Sequence, residues 1–453
     1  MLRQLAARHP LHYPLLLDSA AAGPLSETSL LLAAPSAALW LDRDGRLVGE
    51  GMTPRGPGFL TALENWWRSE RSPAAGGDGE AGRFCGGWAV FLGYELAGEI
   101  EPHLVLPTTP LPWQAFALRT HGALVLDLKS SRVFAVADEA AALGRLIADA
   151  TEAARAVAAP ERLRIDNVRE EDPGAYLWRV RRAKEYVRAG DIYQANLSRP
   201  WDVRIRTAQT ADSGTYGAEP PVAAALYERL RAANPAPFAA LAQWQGVAIL
   251  SSSPERLVRV DGRRVDTRPI AGTRPRSRDP ARERGEMNEL AAHPKERAEH
   301  IMLIDLERND LGRVCEAGTV RVDELMTIES YQHVHHIVSN VSGVLRPEVT
   351  PIGAVRAVFP GGTITGCPKF RCMQIIAELE GEGRGAYTGS IGFLSRDGTM
   401  DLNILIRTMT LADGRIHLRA GAGIVADSIP ERELEETRAK ARGLLAVFDG
   451  ERP

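Results

Sequence analysis

The sequence is organised around residues 421–440, GAGIVADSIPERELEETRAK. The pattern predicts a strand, a glycine turn and then a helix. On that helix Glu433 and Glu436 are one turn apart, and Lys440 lies on the same face. Two carboxylates at this spacing supply half of an oxygen-rich site for a hard divalent cation. Taken alone, the pattern favours a solvated, acidic first turn, so a metal site requires a second half elsewhere.

The residues before this helix suit an anion. Gly421 and Gly423 lack side chains and therefore leave backbone N–H groups accessible. Ser428 is predicted as the N-cap and Pro430 as a first-turn residue. A tight turn without any ligand is the alternative interpretation of the two glycines.

Length and composition indicate a soluble, globular protein with two or three lobes. The chain has 453 residues, of which 44% are hydrophobic and 25% charged, so it can bury a large core. Its 55 basic and 58 acidic residues give a net charge of -3, which favours neither a nucleic-acid nor a membrane surface. We expect a cytoplasmic protein, since the sequence contains no signal-peptide core and no apolar run of membrane-spanning length.

Strands and helices are mixed without a regular βαβ period, which predicts the α+β class. A helix that ends before Pro160 suggests a boundary between an N-terminal region, 1–160, and a catalytic region, 165–450. Other predictions are specific to short segments: a strand pair at 247–253 and 256–260, a charged loop at 275–286, a helix at 295–308 and one strand at 402–410.

A second pair of carboxylates repeats the spacing of the first. Glu296 and Glu299 lie one turn apart on the helix predicted at 295–308. Four carboxylates on two helices would repel one another unless a cation lay between them. Magnesium takes one or two carboxylates together with waters and a ligand oxygen, so the other pair can act through water. Two surface helices with ion pairs, such as Glu436 with Lys440, are the alternative.

Eight motifs follow one another between residues 190 and 408. They are GDIYQANLSR (190–199), SSPER (252–256), RPIAGTR (268–274), DLERNDLGR (305–313), HVHHIVS (333–339), GGTITGCPK (361–369), GSIG (389–392) and MDLNILIRT (400–408). This series resembles the chorismate-using enzymes: the large subunits of anthranilate synthase and aminodeoxychorismate synthase, and the isochorismate and salicylate synthases. The resemblance implies an α+β fold with two facing β-sheet subdomains, flanked by helices, and an active site between them.

The resemblance also implies ligands for a cation and a substrate. The cation would be Mg²⁺, chelating the ring carboxylate of chorismate and stabilising charge as the ring loses hydroxide. A planar guanidinium fork pairs well with a second, enolpyruvyl carboxylate. The implied metal ligands are Glu296, Glu299, Glu433 and Glu436, and the implied substrate-binding residues are Tyr387, Arg407, Gly421, Gly423 and Lys440. For Arg407, a structural salt bridge is the alternative.

The implied catalytic residues lie in three motifs. Glu255 matches the family's general acid, which protonates the departing hydroxyl and needs a raised pKa. A strand-end glutamate bonded to backbone is the alternative. His336 matches the active-site histidine, close to Thr273 and the leaving group. The neighbouring His333 and His335 are expected to be ordinary strand residues.

Gln194 indicates which reaction the chain catalyses. Isochorismate and salicylate synthases resemble each other in having a lysine at this position, which activates water. An uncharged glutamine cannot serve as that base, whereas ammonia is already a nucleophile and needs none. The sequence therefore favours an aminating member of the family.

The position of amination is harder to infer. The blocks at 195–198, 389–392 and 401–404 resemble the aminodeoxychorismate branch, so we expect conversion of chorismate to 4-amino-4-deoxychorismate, a precursor of p-aminobenzoate and folate. Ala271 is an argument for anthranilate synthase component I, the first alternative, because many aminodeoxychorismate synthases have a lysine there. A non-catalytic, tryptophan-binding regulatory relative is the second alternative, and the intact set of site residues argues against it.

The resemblance implies a partner and an effector pocket. Cys85 lacks the glycine-rich elbow of a glutamine amidotransferase, so we expect ammonia from a separate amidotransferase subunit in a heterodimer. The residues that match the family's tryptophan pocket are Asp18, Ser19, Pro235 and Phe238. That pocket is inhibitory in anthranilate synthase and can be structural in the other branch; plain strand and turn packing remains the alternative.

Overall fold

The computed structural model describes residues 1–21, 23, 25, 27–72, 84, 86–153, 164–206, 220–277, 279–331 and 334–448. Within them the helices are α1 Leu2–Arg8, α2 Phe59–Glu70, α3 Ala97–Ile100, α4 Ala140–Ala153, α5 Pro173–Ala189, α6 Pro220–Ala233, α7 Pro280–Ala292, α8 Pro294–Gly312, α9 Pro351–Val358, α10 Lys369–Glu380 and α11 Pro430–Leu445.

The strands are β1 Leu15–Asp18, β2 Thr28–Asp42, β3 Leu47–Glu50, β4 Gly87–Leu92, β5 Trp113–Asp127, β6 Arg132–Ala137, β7 Arg164–Glu170, β8 Gln194–Arg206, β9 Phe238–Trp244, β10 Val247–Ser253, β11 Arg256–Asp261, β12 Arg264–Arg268, β13 Ile270–Pro275, β14 Arg321–Ser330, β15 Val334–Val344, β16 Gly366–Cys367, β17 Ser390–Ser395, β18 Met400–Asn403, β19 Thr408–Ala412 and β20 Arg415–Ile424.

Two long strands, β2 and β5, run through both halves of the sheet structure. Their pairing shifts register between Pro35 and Ala37, next to Ala34 with its φ of 56°. A bulge of this kind bends the strand that contains it. Before the bulge, β2 pairs with β1 and the end of β5 pairs with β6. Beyond it, the same two strands pair with β3 and β4.

On each side of the bulge, an antiparallel sheet continues outward from the β2–β5 pair. The first half continues from β2 in the order β1, β9, β10, β19, β20, β8, β7. The second half continues from β5 in the order β4, β17, β18, β11, β12, β15, β14. Strands from before residue 160 therefore share both sheets with strands from the later part of the chain.

An aromatic core fills the space between the two halves, and helices cover their other faces. Phe91, Trp113 and Phe116 pack against one another there, with ring centroids 4.8 to 5.3 Å apart. Leu146 of α4 and Leu226 of α6 belong to the core outside the first half, while α2, α8 and α9 contribute to the core outside the second. Antiparallel sheets with helices on their outer faces confirm the predicted α+β class.

The segment 275–286, predicted as a charged loop, is largely helix α7. Asp279 caps this helix by accepting a hydrogen bond of 2.9 Å from the Ala281 amide, and Pro280 occupies the first helical position. Asp-Pro is a start signal for a helix, and the density of arginine and glutamate around it concealed that signal. Charges on this helix are satisfied by pairs such as Arg282 with Glu286, at 3.6 Å.

Two strand predictions were wrong in their pairing or continuity. The strands predicted at 247–253 and 256–260 both exist, but they do not pair with each other: β10 lies between β9 and β19, and β11 between β12 and β18. The strand predicted at 402–410 is interrupted between Asn403 and Thr408. Arg407 has a φ of 50°, which strand geometry excludes.

Cys85, Pro160 and His333 lie outside the described residues. So does most of the polar segment 207–221, which its Gly and Pro content predicts as an exposed loop. None of the helices in the described ranges has both the length and the apolar character needed to cross a membrane.

Candidate functional site

The end of strand β20 forms one side of the candidate site. β20 pairs with β19 only as far as Leu418, whereas its pairing with β8 continues to Ile424. One edge of β20 is therefore left without a neighbouring strand in the described part of the sheet. Lys440 on α11 donates a hydrogen bond of 3.0 Å to the Gly421 carbonyl oxygen. In a strand the N–H and C=O of one residue point to the same edge, so the amides of Gly421 and Gly423 face this open side.

The structure corrects the prediction for the start of this segment. Gly421 and Gly423 lie inside β20 instead of in a turn. Ser428 is not the N-cap of α11: its hydroxyl accepts a hydrogen bond of 3.1 Å from the Val425 amide and stabilises the preceding turn. Pro430 does occupy the first helical position, as predicted.

Close packing explains the lack of a side chain at Gly421. A Cβ atom there would lie 2.7 Å from the hydroxyl of Tyr387 and 2.7 Å from Oδ1 of Asn196. Tyr387 is buried, and burial raises the pKa of its hydroxyl to about 12, so the hydroxyl is a neutral donor. Asn196 Oδ1 is buried and accepts no hydrogen bond from the described residues. Two polar groups thus converge on the backbone at Gly421.

Gly423 brings together the strand and one of the predicted metal ligands. A Cβ atom there would lie 2.6 Å from Nε2 of Gln194 and 3.4 Å from Oε1 of Glu299. Gln194 is 2% exposed, and within the described chain its Oε1 accepts no hydrogen bond. The glutamine and the helix α8 glutamate therefore meet at the open edge of β20.

The first predicted carboxylate pair lies between α8 and strand β13. Glu296 receives an ion pair of 2.7 Å from Arg274, while its other oxygen is buried without a hydrogen bond partner in the described residues. That second oxygen lies 2.6 Å from the Cβ position of Gly272. Glu299, one turn later, points toward Gly423 as described above. Helix α8 thus presents both carboxylates to the strands that border the site.

The second pair lies on α11, the helix whose Lys440 binds the same end of β20. Glu433 is 8% exposed, and both Glu433 and Glu436 raise the pKa of the buried Tyr176 hydroxyl, after the larger effect of burial. Glu436 forms an ion pair of 2.8 Å with Lys440, the contact considered above as the alternative to a metal site. Because Lys440 also binds Gly421, this ion pair lies at the edge of the site.

The four glutamates satisfy part of what a magnesium site needs. They do not form a compact cage: in the described residues, the group of His, Cys, Asp or Glu ligand atoms within 4.8 Å of one another is His121, Asp138 and Glu139. However, Mg²⁺ needs only one or two protein carboxylates, with waters and ligand oxygens completing the octahedron. The buried, unpartnered oxygen of Glu296 and the adjacent Glu299 fit that requirement.

Glu255 is a buried carboxyl with a strongly raised pKa. It is 3% exposed, and Oε1 accepts a hydrogen bond of 3.3 Å from the Ile270 amide. Burial raises its pKa to about 8, a shift that the Thr363 hydroxyl, the Ile270 amide and the charge of Arg407 only partly oppose. At neutral pH this carboxyl is protonated and able to donate a proton.

Arg407 faces Glu255 from the break between β18 and β19. Burial lowers the pKa of its guanidinium, and Glu255 opposes this effect. The backbone at Arg407 has a φ of 50°, held in place by a hydrogen bond of 3.1 Å from the Ser252 amide to its carbonyl oxygen. A left-handed backbone at a non-glycine residue costs about 1–3 kcal/mol and is concentrated at functional sites.

His336 lies next to these groups on strand β15. Its Nδ1 is 3.4 Å from the Gly272 carbonyl oxygen, and its backbone pairs with Thr273, whose side chain is outside the described part of the structure. Burial, followed by the charge of Arg407, lowers the pKa of His336 to about 3, so the imidazole is neutral. His335 is buried and contacts Ser330 and Glu283, at 2.7 and 3.1 Å.

The predicted tryptophan pocket is built around a satisfied carboxylate. Asp18 accepts hydrogen bonds from Arg231 and Tyr227, at 2.8 and 3.2 Å. The Ser19 hydroxyl donates to the Thr28 carbonyl oxygen at 2.8 Å. Nearby, Pro235 and Phe238 are partly buried, and the guanidinium of Arg256 lies 5.0 Å from the Phe238 ring centroid. This geometry is compatible with both strand packing and a pocket, so tryptophan binding stays a prediction.

Sequence reasoning missed three residues that the structure places at the site: Asn196, Glu307 and Thr363. All three lie inside motifs that were quoted above, but nothing in their spacing distinguished them. The available signal was the position of Glu307 on its helix: Ile304 and Leu311, three residues before and four after it, place this carboxylate on an apolar face.

Comparison with known proteins shows the family of this chain. Residues 53–446 match the family described as chorismate binding enzyme. An anthranilate synthase component I-like protein from Synechocystis is 42% identical over 369 residues, which cover 81% of this chain and 73% of that protein. Anthranilate synthase component 1 from Streptomyces coelicolor is 41% identical over 419 residues, covering 87% of this chain and 78% of that protein.

A solved structure extends the agreement to the fold. The crystal structure of anthranilate synthase component I from Streptococcus pneumoniae superposes with a TM-score of 0.78 at 30% sequence identity, covering 93% of each chain. The predicted α+β architecture is therefore confirmed. The family match spans most of the chain and includes the motifs that line the site: this protein belongs to the chorismate binding enzymes.

Proposed function

We propose that this chain converts chorismate and ammonia to anthranilate and pyruvate, in a magnesium-dependent reaction. The observation that carries the choice of product is Ala271. It lies on β13 opposite Ile337, adjacent to Gly272 and one residue from His336 in the pairing. A methyl group at this position cannot add to the substrate ring, whereas a lysine amine could. The relatives named anthranilate synthase component 1 support the same choice.

This proposal replaces the 4-amino-4-deoxychorismate product that the sequence blocks favoured. Those blocks have structural contacts that do not depend on which carbon is aminated. Ser198 donates from its amide and hydroxyl to the buried Glu380, at 2.8 and 3.0 Å. Asn403 accepts a hydrogen bond of 3.0 Å from the Ile391 amide. Their agreement with one branch therefore reflects packing and carries little weight for the reaction.

Substrate binding follows from the charges and donors at the site. Chorismate is a dicarboxylate, so it requires cationic or N–H groups at two places. Arg407 and the Tyr387 hydroxyl offer one set of donors, and the open-edge amides of Gly421 and Gly423 offer another. Lys440 forms an ion pair with Glu436 and donates a hydrogen bond to the Gly421 carbonyl oxygen. These two contacts hold its positive charge at the open edge of β20.

Departure of the ring hydroxyl requires a proton donor. Glu255 is buried and protonated at neutral pH, so it can donate to the hydroxyl oxygen, which leaves as water. His336 is neutral and can accept or donate a hydrogen bond near the same place. Gln194 contributes amide groups but no base, which suits ammonia as the nucleophile.

Magnesium would be held by carboxylates from α8 and α11, with Glu296 and Glu299 on one side and Glu433 and Glu436 on the other. When bound, it supplies Lewis-acid stabilisation of negative charge on the substrate's ring carboxylate. Ammonia would come from a separate glutamine amidotransferase subunit, as the name component 1 of the relatives implies.

The test is to identify the product directly. The protein is incubated with chorismate, ammonium salt and Mg²⁺, and products are separated and identified by mass and fluorescence. Anthranilate with an equal amount of pyruvate supports the proposal. Accumulation of 4-amino-4-deoxychorismate without pyruvate would instead establish the other amination, and no turnover with ammonium or with a verified amidotransferase partner would favour a regulatory relative.

A further inference from the structure

A second buried carboxyl lies next to Glu255. Glu307 on α8 is 5% exposed, and its negative charge raises the pKa of Glu255. Consecutive residues border the two groups: a Cβ atom on Gly362 would lie 3.3 Å from Oε1 of Glu307, and the hydroxyl of Thr363 lies beside Glu255. Because Gly362 and Thr363 are neighbours in the chain, the two carboxyls border the same short segment.

The sheet holds the same pair from the opposite direction. The hydroxyl of Thr267, near the end of β12, lies beside Glu307 and favours its charged form. The Ile270 amide, at the start of β13, donates to Glu255 at 3.3 Å. Both carboxyls therefore also border the segment from Thr267 to Ile270.

Glu307 continues into a second acidic contact along its own helix. Asp310 is one turn later on the same face of α8 and is 3% exposed. Lys369 on α10 donates to Asp310 at 2.5 Å and to the Val358 carbonyl oxygen at 2.9 Å. Burial, followed by the charge of Asp310, raises the pKa of Glu307 to about 7, so this group exchanges protons near neutral pH.

Asp310 and Lys369, the two groups farthest from Glu255, border a surface groove. Asp310 and Lys369 line a groove of about 760 Å³, together with Tyr193, Asp305 and Cys367. The Lys369 side chain is 15% exposed, so part of it is in contact with solvent at the groove. Titratable groups thus extend from solvent in the groove, through Lys369, Asp310 and Glu307, to Glu255 in the site.

We propose that Glu307 and the Asp310–Lys369 pair return protons from the groove to Glu255. The inference rests on the proposed function, in which Glu255 protonates the leaving hydroxyl. In each turnover the Glu255 O–H bond breaks, the substrate C–O bond breaks and water leaves. Glu307 then gives its proton to the Glu255 carboxylate and regains one from water in the groove through the Asp310–Lys369 pair. One solvent proton is consumed for each hydroxyl lost, and no redox partner is involved.

The direct test is Glu307→Gln, which keeps the shape of the side chain but removes the exchangeable proton. We expect kcat to fall on the order of tenfold, less than the about 10²- to 10⁴-fold that a general acid itself contributes. KM for chorismate should stay unchanged, since Glu307 does not touch the substrate. The alkaline limb of kcat/KM should move to lower pH, because the charge that raises the pKa of Glu255 is gone. The other charges facing the pair, Arg407, Asp310 and Lys369, are unaltered.

A control of the same chemistry lies on α10, outside the groove. Glu378→Gln removes an exposed carboxylate that accepts hydrogen bonds of 2.7 and 2.8 Å from the Tyr186 hydroxyl, and it should leave both kcat and the pH profile as in the wild type. If Glu307→Gln fails to fold, the charge-neutral pair Asp310→Asn/Lys369→Met interrupts the same path without leaving an unpaired buried charge. If Glu307→Gln folds, a wild-type kcat with an unshifted alkaline limb would overturn the relay. If only the double variant folds, a wild-type kcat in that variant would overturn it.

The relay and the proposed function fail in distinguishable ways. If the wild type forms no product with chorismate, ammonium and Mg²⁺, the proposed function is wrong. If the wild type is active and Glu255→Gln is not, but the relay variants match the wild type, only the relay is wrong.

Discussion

Nε2 of Gln194 lies 2.6 Å from the position that a Cβ on Gly423 would occupy. Real Cβ atoms do not approach other atoms this closely, so an alanine at this position would force the Gln194 amide to move. Gln194 begins strand β8, which pairs with β20 as far as Ile424, so its uncharged amide lies beside the strand whose backbone amides face the site.

Gly423→Ala should therefore impair activity more than stability. The added methyl group would displace Gln194 and press on Glu299, so we expect at least a tenfold loss of kcat/KM, since small misplacements at reacting groups are costly. Gly443→Ala on α11 is the control, because a Cβ there meets nothing closer than 3.7 Å and should stabilise the helix by roughly 0.5–1 kcal/mol. Steady-state kinetics and thermal unfolding of both variants test this, and full activity in Gly423→Ala would contradict it.

Glu255→Gln should abolish proton donation while preserving the fold. We expect kcat to fall by about 10²- to 10⁴-fold, as for loss of a general acid. In the wild type, kcat/KM should decline as the pH rises through the pKa of Glu255, about 8, because only the protonated carboxyl can donate. Activity that persists undiminished at pH 9.5 would argue against this role.

Stability should depend on pH through the same carboxyl. Its pKa is 4.5 as a reference value and about 8 in the folded protein, so between these values the native state holds a proton that the unfolded chain has lost. The contribution is therefore fully present below the reference pKa and is lost as the pH rises through the folded pKa, at about 1.4 kcal/mol per pKa unit. Urea unfolding at pH 5 and pH 8.5 should show a smaller loss of stability in Glu255→Gln than in the wild type; equal losses would disprove the assignment.

Glu436→Gln should weaken the response to magnesium. Removing this carboxylate lowers the negative charge at the α11 side of the site, so half-maximal activity should require at least about tenfold more Mg²⁺, a typical loss when the environment of a metal ligand is altered. Glu435→Gln is the matched control, because Glu435 is the preceding residue of the same helix, is 63% exposed and pairs with Arg438. Titration of activity with MgCl₂ compares the two, and an unchanged midpoint in Glu436→Gln would remove this residue from the metal site.

Tryptophan binding is tested by titrating the protein with L-tryptophan. If the segments around Asp18 and Phe238 form an inhibitory pocket, activity should fall and the melting temperature should rise with tryptophan concentration, because a ligand that binds only the native state stabilises it. Ser19→Ala should weaken this response, since its hydroxyl holds the Thr28 carbonyl oxygen. An unaltered melting temperature at millimolar tryptophan would indicate that these segments are packing elements.

The sequence by itself determined the class of the fold and most of the site residues. The strand predicted at 247–253 has the predicted bounds and the helix predicted at 295–308 lies within α8, because apolar runs and helical periodicity are local signals. Helix α7 was missed, because its charges suggested a loop, and the strand predicted at 402–410 is broken where Arg407 adopts a left-handed backbone. Both errors concern local conformations that tertiary contacts stabilise.

Only the tertiary structure decided how the motifs meet. Spacing placed Glu299 on a helix, but its contact with Gly423 joins residues more than a hundred positions apart. The raised pKa of Glu255 and the adjacent Glu307 likewise depend on burial between α8, β13 and the Gly362–Thr363 segment. Periodicity reports which side of an element is apolar, whereas the environment of a charge depends on everything packed around it.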